Sequence, residues 1–379
     1  MSASGLGGLK RGGQTGWQMF CWPLLMALVN AVGLVAALVG DGWYDLVSWG
    51  TLGVTLVVIV AAWRGWLARS HAGSSPAMVA PDATTTHSQG AGRAIKTRDG
   101  RSLFLMERGT RQDGEPIIVF EAGMAAPCSS WGLVQPALPE TVHAVVYDCA
   151  GLGRSEPDPE PRTVARMADD LDDLLDALGD GPFILVATSG GALIVRERAK
   201  RHPERIAGMV LVDPTDEGCE PVFSPGFRRL EKGAHHASVL LARFGLLERL
   251  YNSFLLRLPP DSQSDFRKEG FTTGAMRTRG AELKGMVAAM NGLRGQIEAP
   301  SDMPVTVISG ALADRGMAPT LRATANAAHA RRAALSTSGR HVIAERSGHM
   351  VPFIEPELIV AEIMRLHGGA ISGGPEARA

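Results

Sequence analysis

The sequence of 379 residues has little net charge and few cysteines, and both shortages narrow the classes of possible function. The formal net charge is −1, so no basic surface argues for a nucleic-acid partner, and we expect none. The four cysteines lack paired spacing, which argues against a disulfide framework and against a zinc site. We therefore expect neither a metal nor a cofactor, and buried thiols at Cys21, Cys128, Cys149 and Cys219.

A third shortage is local, because no lysine or arginine occurs between Arg11 and Arg64. Two apolar stretches, Trp17–Val39 and Leu46–Trp63, fill that gap, and each is long enough to cross a hydrocarbon core of ~30 Å as a helix. Tryptophan is enriched at membrane interfaces, and six of the seven tryptophans lie in or beside these stretches: Trp17, Trp22, Trp43, Trp49, Trp63 and Trp66. Residues 1–69 are therefore predicted to form a membrane hairpin of two helices.

The charges that flank the two stretches predict the orientation of the hairpin. Lys10 and Arg11 precede the first stretch and Arg64 and Arg69 follow the second, so the positive-inside rule puts both ends, and the catalytic domain that would follow, in the cytoplasm. A cleaved signal peptide is the alternative, but the first stretch is long for one and a second stretch follows it. Residues 70–92 are rich in Ala, Ser, Thr, Pro and Gly and are predicted to be a flexible linker.

Apolar runs after the linker alternate with segments of helical spacing, which predicts an α/β fold with a mostly parallel sheet and helices on both faces. The predicted strands are Arg101–Glu107, Pro116–Glu121, Thr141–Asp148, Phe183–Val186, Arg205–Asp213, Pro304–Ser309 and His341–Glu345. They define a core of residues 93–213 and 302–368, which a flexible tail of residues 369–379 follows. Residues 214–301 show helical spacing only, at 237–251 and 278–293, and predict a lid over the carboxyl edge of the sheet.

The stretch from Gly181 to Ala192, GPFILVATSGGA, is the most informative part of the chain. A short apolar strand stops just before Ser189, and a helix-compatible run follows at once. Small residues two positions before and after the serine, Ala187 and Gly191, allow the strand and the helix to approach closely. This order of strand, turn and helix predicts a nucleophile elbow, which holds a serine hydroxyl over the end of a parallel sheet.

Five segments of the chain together resemble the α/β-hydrolase superfamily, in its lid-bearing branch. These segments are Glu121–Met124, Tyr147–Ser155, Ala187–Gly191, Leu211–Pro214 and Ser347–Pro352. The resemblance extends from about residue 92 to residue 367, and it implies the α/β-hydrolase fold with a helical lid. It is specific for the fold and much less specific for the substrate, and the N-terminal hairpin lies outside it.

A serine hydroxyl needs an adjacent base, and the base needs an orienting acid. In this fold the order along the chain is serine, acid, histidine. Of the histidines after Ser189 only His349 directly follows a terminal strand, and the resemblance also puts the base there, with His341 as the substitute. The acid is expected at Asp314, in the loop after the next-to-last strand, and Asp213 at the end of the preceding strand is the alternative.

An oxyanion hole needs two backbone N–H groups beside the nucleophile. Gly190, at the start of the helix, is expected to supply one, and Met124, in the loop after a buried strand, the other. The chain departs from the family pattern at Ala122 and Thr188, where histidine is common. Neither position belongs to the triad, so the chemistry is retained, but no narrower subfamily is assigned. Glu121 is expected to make a structural hydrogen bond.

These residues predict a serine hydrolase that cleaves an ester or another acyl bond through an acyl-enzyme on Ser189. A serine at this position excludes the aspartate-dependent dehalogenases and epoxide hydrolases of the fold. The predicted hairpin favours a lipophilic small molecule or an acyl lipid as substrate. An amidase or aminopeptidase of the same fold and a non-catalytic binding protein are the alternatives, and the oligomeric state stays open. Seven apolar residues of the predicted lid could line an acyl pocket. We favour the simpler interpretation that they form the helix faces that any lid must bury: Leu240, Leu241, Phe244, Leu246, Leu247, Phe254 and Leu255.

Overall fold

A computed structural model describes residues 87–296 and 299–372, and these residues form one eight-stranded sheet with helices around it. No helix in this part of the chain is long and apolar enough to cross a bilayer. The predicted membrane hairpin, residues 1–69, lies outside the described residues, and so does most of the predicted linker. The hairpin and its orientation therefore stay predictions.

The strands are short apolar runs, and nearly all residues of β3 to β7 are buried. In chain order the strands are β1 Ala91–Lys96, β2 Ser102–Arg108, β3 Ile117–Glu121, β4 Ala144–Tyr147, β5 Phe183–Thr188, β6 Ile206–Val212, β7 Val305–Gly310 and β8 Arg340–Ala344. Their order across the sheet is β1-β2-β4-β3-β5-β6-β7-β8, and only the pairings of β2 are antiparallel. Because parallel strands end at the same edge, the loops after β3, β5, β6, β7 and β8 meet there.

Helices flank both faces of this sheet, and a separate group follows β6. In chain order the helices are α1 Val164–Leu178, α2 Gly191–Arg201, α3 Pro225–Arg243, α4 Leu247–Leu255, α5 Pro260–Glu269, α6 Thr273–Leu293, α7 Pro319–Ala333, α8 Val351–Ile354 and α9 Pro356–Ser372. Parallel neighbours along the chain are joined by crossover segments, as a parallel sheet requires; α2, for example, connects β5 to β6.

Two buried clusters, one on each face of the sheet, hold the helices against the strands. Leu185 and Val186 are successive residues of β5, so their side chains point to opposite faces. Leu185 packs in the cluster that contains Leu174 of α1, whereas Val186 packs in the cluster that contains Ile363 of α9 and Trp131. The sheet is thus covered on both sides, and its carboxyl edge is left for the loops that carry the site.

The segment between β6 and β7 contains the four helices α3 to α6, which we call the lid. Side-chain caps fix two of their starts: Ser224 Oγ accepts from Phe227 N (3.3 Å) before α3, and Thr272 Oγ1 accepts from Ala275 N (3.0 Å) before α6. The continuous helix expected at residues 237–251 is interrupted, because Gly245 adopts a φ of 65° between α3 and α4.

The predicted mostly parallel sheet is confirmed, with one strand more than the sequence suggested. Each predicted strand corresponds to one of β2 to β8, but β1 was not predicted, since Ile95 is the only buried residue among its six. At the other end α9 continues to Ser372, beyond the boundary that was expected at residue 368.

Candidate active site

Ser189 lies in a sharp turn between β5 and α2, at the carboxyl edge of the sheet. Its φ angle is 52°, a left-handed conformation that costs free energy in a residue other than glycine. Two hydrogen bonds fasten the turn: Ser189 N–H donates to Val212 O (3.1 Å), and Ser189 O accepts from Thr215 N (2.9 Å). The end of β6 thus holds the strained serine in place.

The loop after β3 packs directly against this turn. A Cβ added at Gly191, the first residue of α2, would lie 2.5 Å from Ala122 O, so a larger residue would push the loop away. A Cβ added at Gly123 would lie 3.3 Å from the Cβ of Ser189. Small residues at these positions allow the two loops to meet, as the sequence pattern predicts.

His349 lies in the loop after β8, and its imidazole is hydrogen-bonded to Asp213. The distance from His349 Nδ1 to Asp213 Oδ2 is 2.7 Å, and the Asp213 side chain is only 4% exposed. Asp213 is the first residue after β6 and adopts a φ of 41°. This pair on the same edge as Ser189 has the chemistry of a base and its orienting acid.

Arg322 of α7 holds the other oxygen of the Asp213 carboxylate. Asp213 Oδ1 accepts from Arg322 Nη1 (2.6 Å) and from Gly310 N (3.1 Å). Arg322 Nη2 also donates to Asp314 Oδ2 (3.0 Å), so one guanidinium joins the two aspartates. Arg322 is 4% exposed, and a buried charge of this kind is tolerated when paired and hydrogen-bonded.

The preference for Asp314 over Asp213 as the orienting acid does not match this geometry. Asp314 Oδ1 and Oδ2 lie 3.1 and 3.0 Å from the backbone N of His349, not from its ring. A Cβ added at Gly348 would lie 2.3 Å from Asp314 Oδ1, so the carboxylate packs against the backbone of this loop. Asp314 comes four residues after the end of β7, whereas Asp213 directly follows β6 and reaches the imidazole.

Burial and charge shift the pKa values of this pair in opposite directions. Burial alone would raise the pKa of Asp213, but the hydrogen bond and charge of His349, together with the charge of Arg322, lower it to about 2. Burial alone would lower the pKa of His349, but Asp213 and the charge of Asp314 raise it above its ordinary value. The acid therefore stays ionised at neutral pH and stabilises the imidazolium form.

His341, the substitute base, has a different role in the structure. Its Nε2 lies 2.8 Å from Ser309 Oγ, and the same hydroxyl lies 2.8 Å from His329 Nδ1. His329 Nε2 is in turn 2.8 Å from Pro214 O. His341 of β8 thus contacts Ser309 of β7, and the contacts continue to the loop that follows Asp213. His341 therefore has a structural role between β7 and β8.

The two residues expected to form the oxyanion hole, Gly190 and Met124, lie on neighbouring loops. A Cβ added at Gly190 would be 3.8 Å from the Cβ of Met124, so the two loops are adjacent. Neither N–H has a hydrogen-bond acceptor among the described residues. Buried or half-buried N–H groups without a partner are uncommon, which makes these two groups candidates for an oxyanion hole.

Helix α6 of the lid contacts both of these loops. Glu282 Oε2 accepts from Ala125 N (3.0 Å), the N–H next to Met124, and Ala125 has a φ of 61°. One helical turn later, the Sδ of Met286 would lie 2.6 Å from a Cβ added at Gly190. The i and i+4 positions of one helix thus touch the two halves of the expected oxyanion hole.

A buried acidic group lies below the elbow. Glu121 at the end of β3 accepts hydrogen bonds from Tyr147 Oη and, over 3.0 Å, from Cys149 Sγ, which agrees with its expected structural role. Burial raises the pKa of Glu121 to about 7, and burial raises the pKa of Glu282 to about 7 as well. The Cys149 thiol is buried, and Cys128 and Cys219 are likewise free and buried.

Three residues that contact the site were not predicted from the sequence: Arg322, Glu282 and Met286. The sequence does contain a signal for Glu282 and Met286. Glu282, Met286 and Met290 are buried at intervals of four residues along α6. A glutamate in an apolar row of this spacing indicates a buried carboxyl group that needs a partner. For Arg322 we find no comparable signal, because its partner Asp213 is 109 residues away along the chain.

Comparison with known proteins decides the family. A family model described as "Alpha/beta hydrolase family" matches residues 118–362. The chain belongs to this family. An AB hydrolase superfamily protein of Gibberella zeae is 30% identical over 310 residues, which is 72% of this chain and 93% of that protein. Further curated relatives match over only 100 to 125 residues, or 18 to 41% of their own length.

Solved structures show the same fold with different activities. A thermophilic esterase from Thermogutta terrifontis has a TM-score of 0.52 and 20% identity, covering 74% of this chain and 99% of that chain. Epoxide hydrolase VrEH1 from Vigna radiata has a TM-score of 0.57 and 20% identity, covering 73% and 97%. Likeness at this level of identity shows the α/β-hydrolase fold, and the reaction must be argued from the residues of this site.

Proposed function

We propose that the protein is a serine hydrolase that cleaves an ester or another acyl bond through an acyl-enzyme on Ser189. One observation carries the proposal: the strained Ser189 turn lies on the same sheet edge as an imidazole held by a carboxylate over 2.7 Å. The burial of Asp213, which is only 4% exposed, supports the proposal further, because a buried charge costs free energy unless it is paired, and here it is paired with the imidazole.

In the proposed reaction Ser189 Oγ attacks the acyl carbonyl, and His349 Nε2 accepts the hydroxyl proton. Asp213 stabilises the imidazolium, while the N–H groups of Gly190 and Met124 bind the oxyanion. The imidazolium then donates its proton to the leaving alcohol. Water attacks the acyl-enzyme with His349 as base, and the free acid leaves with the serine restored.

We further propose a lipophilic acyl substrate. Two of the side chains next to the expected oxyanion hole are thioethers, since Met286 covers Gly190 and Met124 packs against the same core, and the nearby Glu282 is already hydrogen-bonded to Ala125 N. Apolar side chains at this place favour an acyl chain over a charged group. The predicted membrane hairpin supports this choice, because it would hold the domain beside lipids.

A fluorophosphonate probe tests the nucleophile. We expect the full chain to be labelled and Ser189→Ala not to be labelled, with Ser338→Ala, an exposed serine outside the site, as the matched control. His349→Ala should lose labelling as well, because the hydroxyl is then not activated. Labelling of a folded Ser189→Ala variant would refute the proposed nucleophile, and the absence of labelling in folded wild type would favour a non-catalytic binding protein.

A pair of substrates separates the esterase from the amidase. Hydrolysis of a p-nitrophenyl ester and of the p-nitroanilide with the same acyl group is compared on wild type. We expect a much higher kcat/KM for the ester, since the acidic groups near the elbow, Glu121 and Glu282, are already hydrogen-bonded within the protein and are not free to bind a substrate amine. Faster cleavage of the anilide would replace the esterase by an amidase.

A further inference from the structure

Large apolar side chains are exposed on the lid and almost nowhere else in the described part of the chain. Six of the eight lie between residues 230 and 256, on or beside α3 and α4: Leu230, Leu240, Phe244, Leu250, Tyr251 and Leu256. Leu230, Leu250 and Leu256 are 65 to 69% exposed, and the 19 residues of α3 include no buried side chain. Clusters of this kind on a soluble surface mark interaction sites.

The outward side of α3 combines these apolar residues with cations. At 3.6 residues per turn, Leu230 and Leu240 lie about 80° apart around the helix. Arg229, Lys232 and Arg243 lie within about 80° of Leu240, on the side away from Leu230, and all three are exposed. The inner side, by contrast, is half-buried against the rest of the lid. The outward side of α3 is therefore amphipathic in its own right.

The charge of this region differs in sign from that of the whole chain. Residues 225–258 contain six basic and two acidic side chains, a net charge of +4 in a chain whose net charge is −1. Both acidic groups are already paired, Glu231 with Arg228 and Glu248 with Arg267. Five exposed cations form no ion pair among the described residues: Arg229, Lys232, Arg243, Arg249 and Arg257.

We infer that the outward surface of α3 and α4 binds the surface of an anionic lipid bilayer. Exposed leucines reach the boundary between headgroups and acyl chains, while neighbouring cations pair with anionic headgroups. A second copy of the same surface would bring five unpaired cations against five others. A nucleic acid would leave the leucines without an apolar partner. A lipid surface matches both the charge and the apolar groups.

This inference concerns binding, and it holds whether or not Ser189 is a nucleophile. Helix α3 packs against α6, the lid helix that touches both sides of the expected oxyanion hole through Glu282 and Met286. The lid surface that binds lipid would thus be one helix away from the site. The site would then lie close to a bilayer, where lipophilic esters are concentrated.

The test must report on the lid itself, because residues 1–69 are predicted to bind membranes independently. The full chain is prepared with Cys21→Ser, since the other three cysteines are buried, and a bimane is attached at Leu250→Cys. The control label is attached at Ile371→Cys, an exposed aliphatic position outside the lid, 48% exposed. Each protein is reconstituted in brominated phosphatidylcholine vesicles with and without phosphatidylglycerol, and quenching is measured.

We expect quenching of the Leu250 label in vesicles that contain phosphatidylglycerol, and several-fold less quenching of the Ile371 label. Replacing Arg229, Lys232 and Arg249 with Gln should reduce quenching of the Leu250 label to that of the control. Equal quenching of the two labels, or quenching that is insensitive to these three substitutions, would overturn the proposal. Self-quenching that depends on protein density without phosphatidylglycerol would assign the surface to a second copy instead.

Hydrogen exchange of the unlabelled full chain gives an independent measurement. Peptides from residues 225–258 should exchange several-fold more slowly in phosphatidylglycerol vesicles than in phosphatidylcholine vesicles, whereas peptides from α9 should not change. Unchanged exchange in residues 225–258 would overturn the proposal even if the labelled variants misfold. Labelling by fluorophosphonate, measured on the same samples, separates a failure of lipid binding from a failure of the proposed hydrolase function.

Discussion

The carboxyl edge of the sheet and the lid differ in what holds them in place. Every residue of β3 and β7 is buried, and the loops after the strands are fastened by backbone hydrogen bonds such as Ser189 N to Val212 O. In the lid, α3 buries no side chain, whereas α6 buries Met276, Met286 and Met290 in the core and makes polar contacts as well. Glu282 binds Ala125 N, and Thr278 Oγ1 donates to Gly151 O over 2.9 Å.

This difference suggests that the two regions contribute to the proposed reaction in different ways. The sheet edge fixes the positions of the reacting groups, because a displaced strand would disrupt a close-packed core. If the proposed function holds, the lid would act on the reaction through its contacts with the two loops beside Ser189, Glu282 with Ala125 N and Met286 with Gly190. Substitutions at the edge should therefore abolish the reaction, whereas substitutions in the lid should tune it.

The two aspartates of the edge give the largest predicted difference. Asp213→Asn should lower kcat by about 10³- to 10⁴-fold, because the imidazole loses the carboxylate that orients it and stabilises its charge. Asp314→Asn should cost less than about tenfold, since an amide oxygen can still accept from His349 N. kcat is measured on a p-nitrophenyl ester, with circular dichroism as the check on folding. The reverse ranking would return the acid to Asp314.

Substitutions at Glu282 test whether the lid contributes to catalysis. Glu282→Ala leaves Ala125 N–H without its acceptor beside Met124, so we expect kcat to fall by about 10- to 100-fold, less than the effect of removing an oxyanion donor altogether. Glu282→Gln keeps an acceptor and should stay within about threefold of wild type. Lys284→Ala, an exposed change on the same helix, is the control. An unaffected kcat in folded Glu282→Ala would confine catalysis to the sheet edge.

The sequence predicts the sheet edge far better than the lid, and the reason is physical. Ser189 and His349 each lie in a short motif whose meaning is local: a strand that ends, small neighbours, and a turn. The choice between Asp213 and Asp314 is not local, because both follow strands and the φ of 41° at Asp213 is invisible in the sequence. Glu282 contacts Ala125 across 157 residues, a pairing that periodicity alone does not reveal.

The pH dependence of the reaction should distinguish the two neighbours of the Asp213–His349 pair. The base must be neutral, so activity falls as pH drops through the pKa of His349. Asp314 raises that pKa and Arg322 lowers it. Asp314→Asn should therefore move the acidic limb of kcat/KM to lower pH, and Arg322→Gln should move it to higher pH. Shifts in the same direction, or none, would contradict the charge relation read from the structure.

Met286 gives the smallest effect, and it separates positioning of the reaction from choice of the substrate. The thioether covers Gly190 and is 4% exposed, so Met286→Ala should open space on the acyl side. We expect the ratio of kcat/KM for an octanoate ester over an acetate ester to rise by about tenfold or less, the order of one or two methylene groups in an apolar pocket. Met286→Leu conserves volume and should leave the ratio unchanged. If Met286→Ala instead lowered kcat equally for both esters, the lid would act on the chemistry alone, and the acyl chain would have to lie elsewhere along the sheet edge.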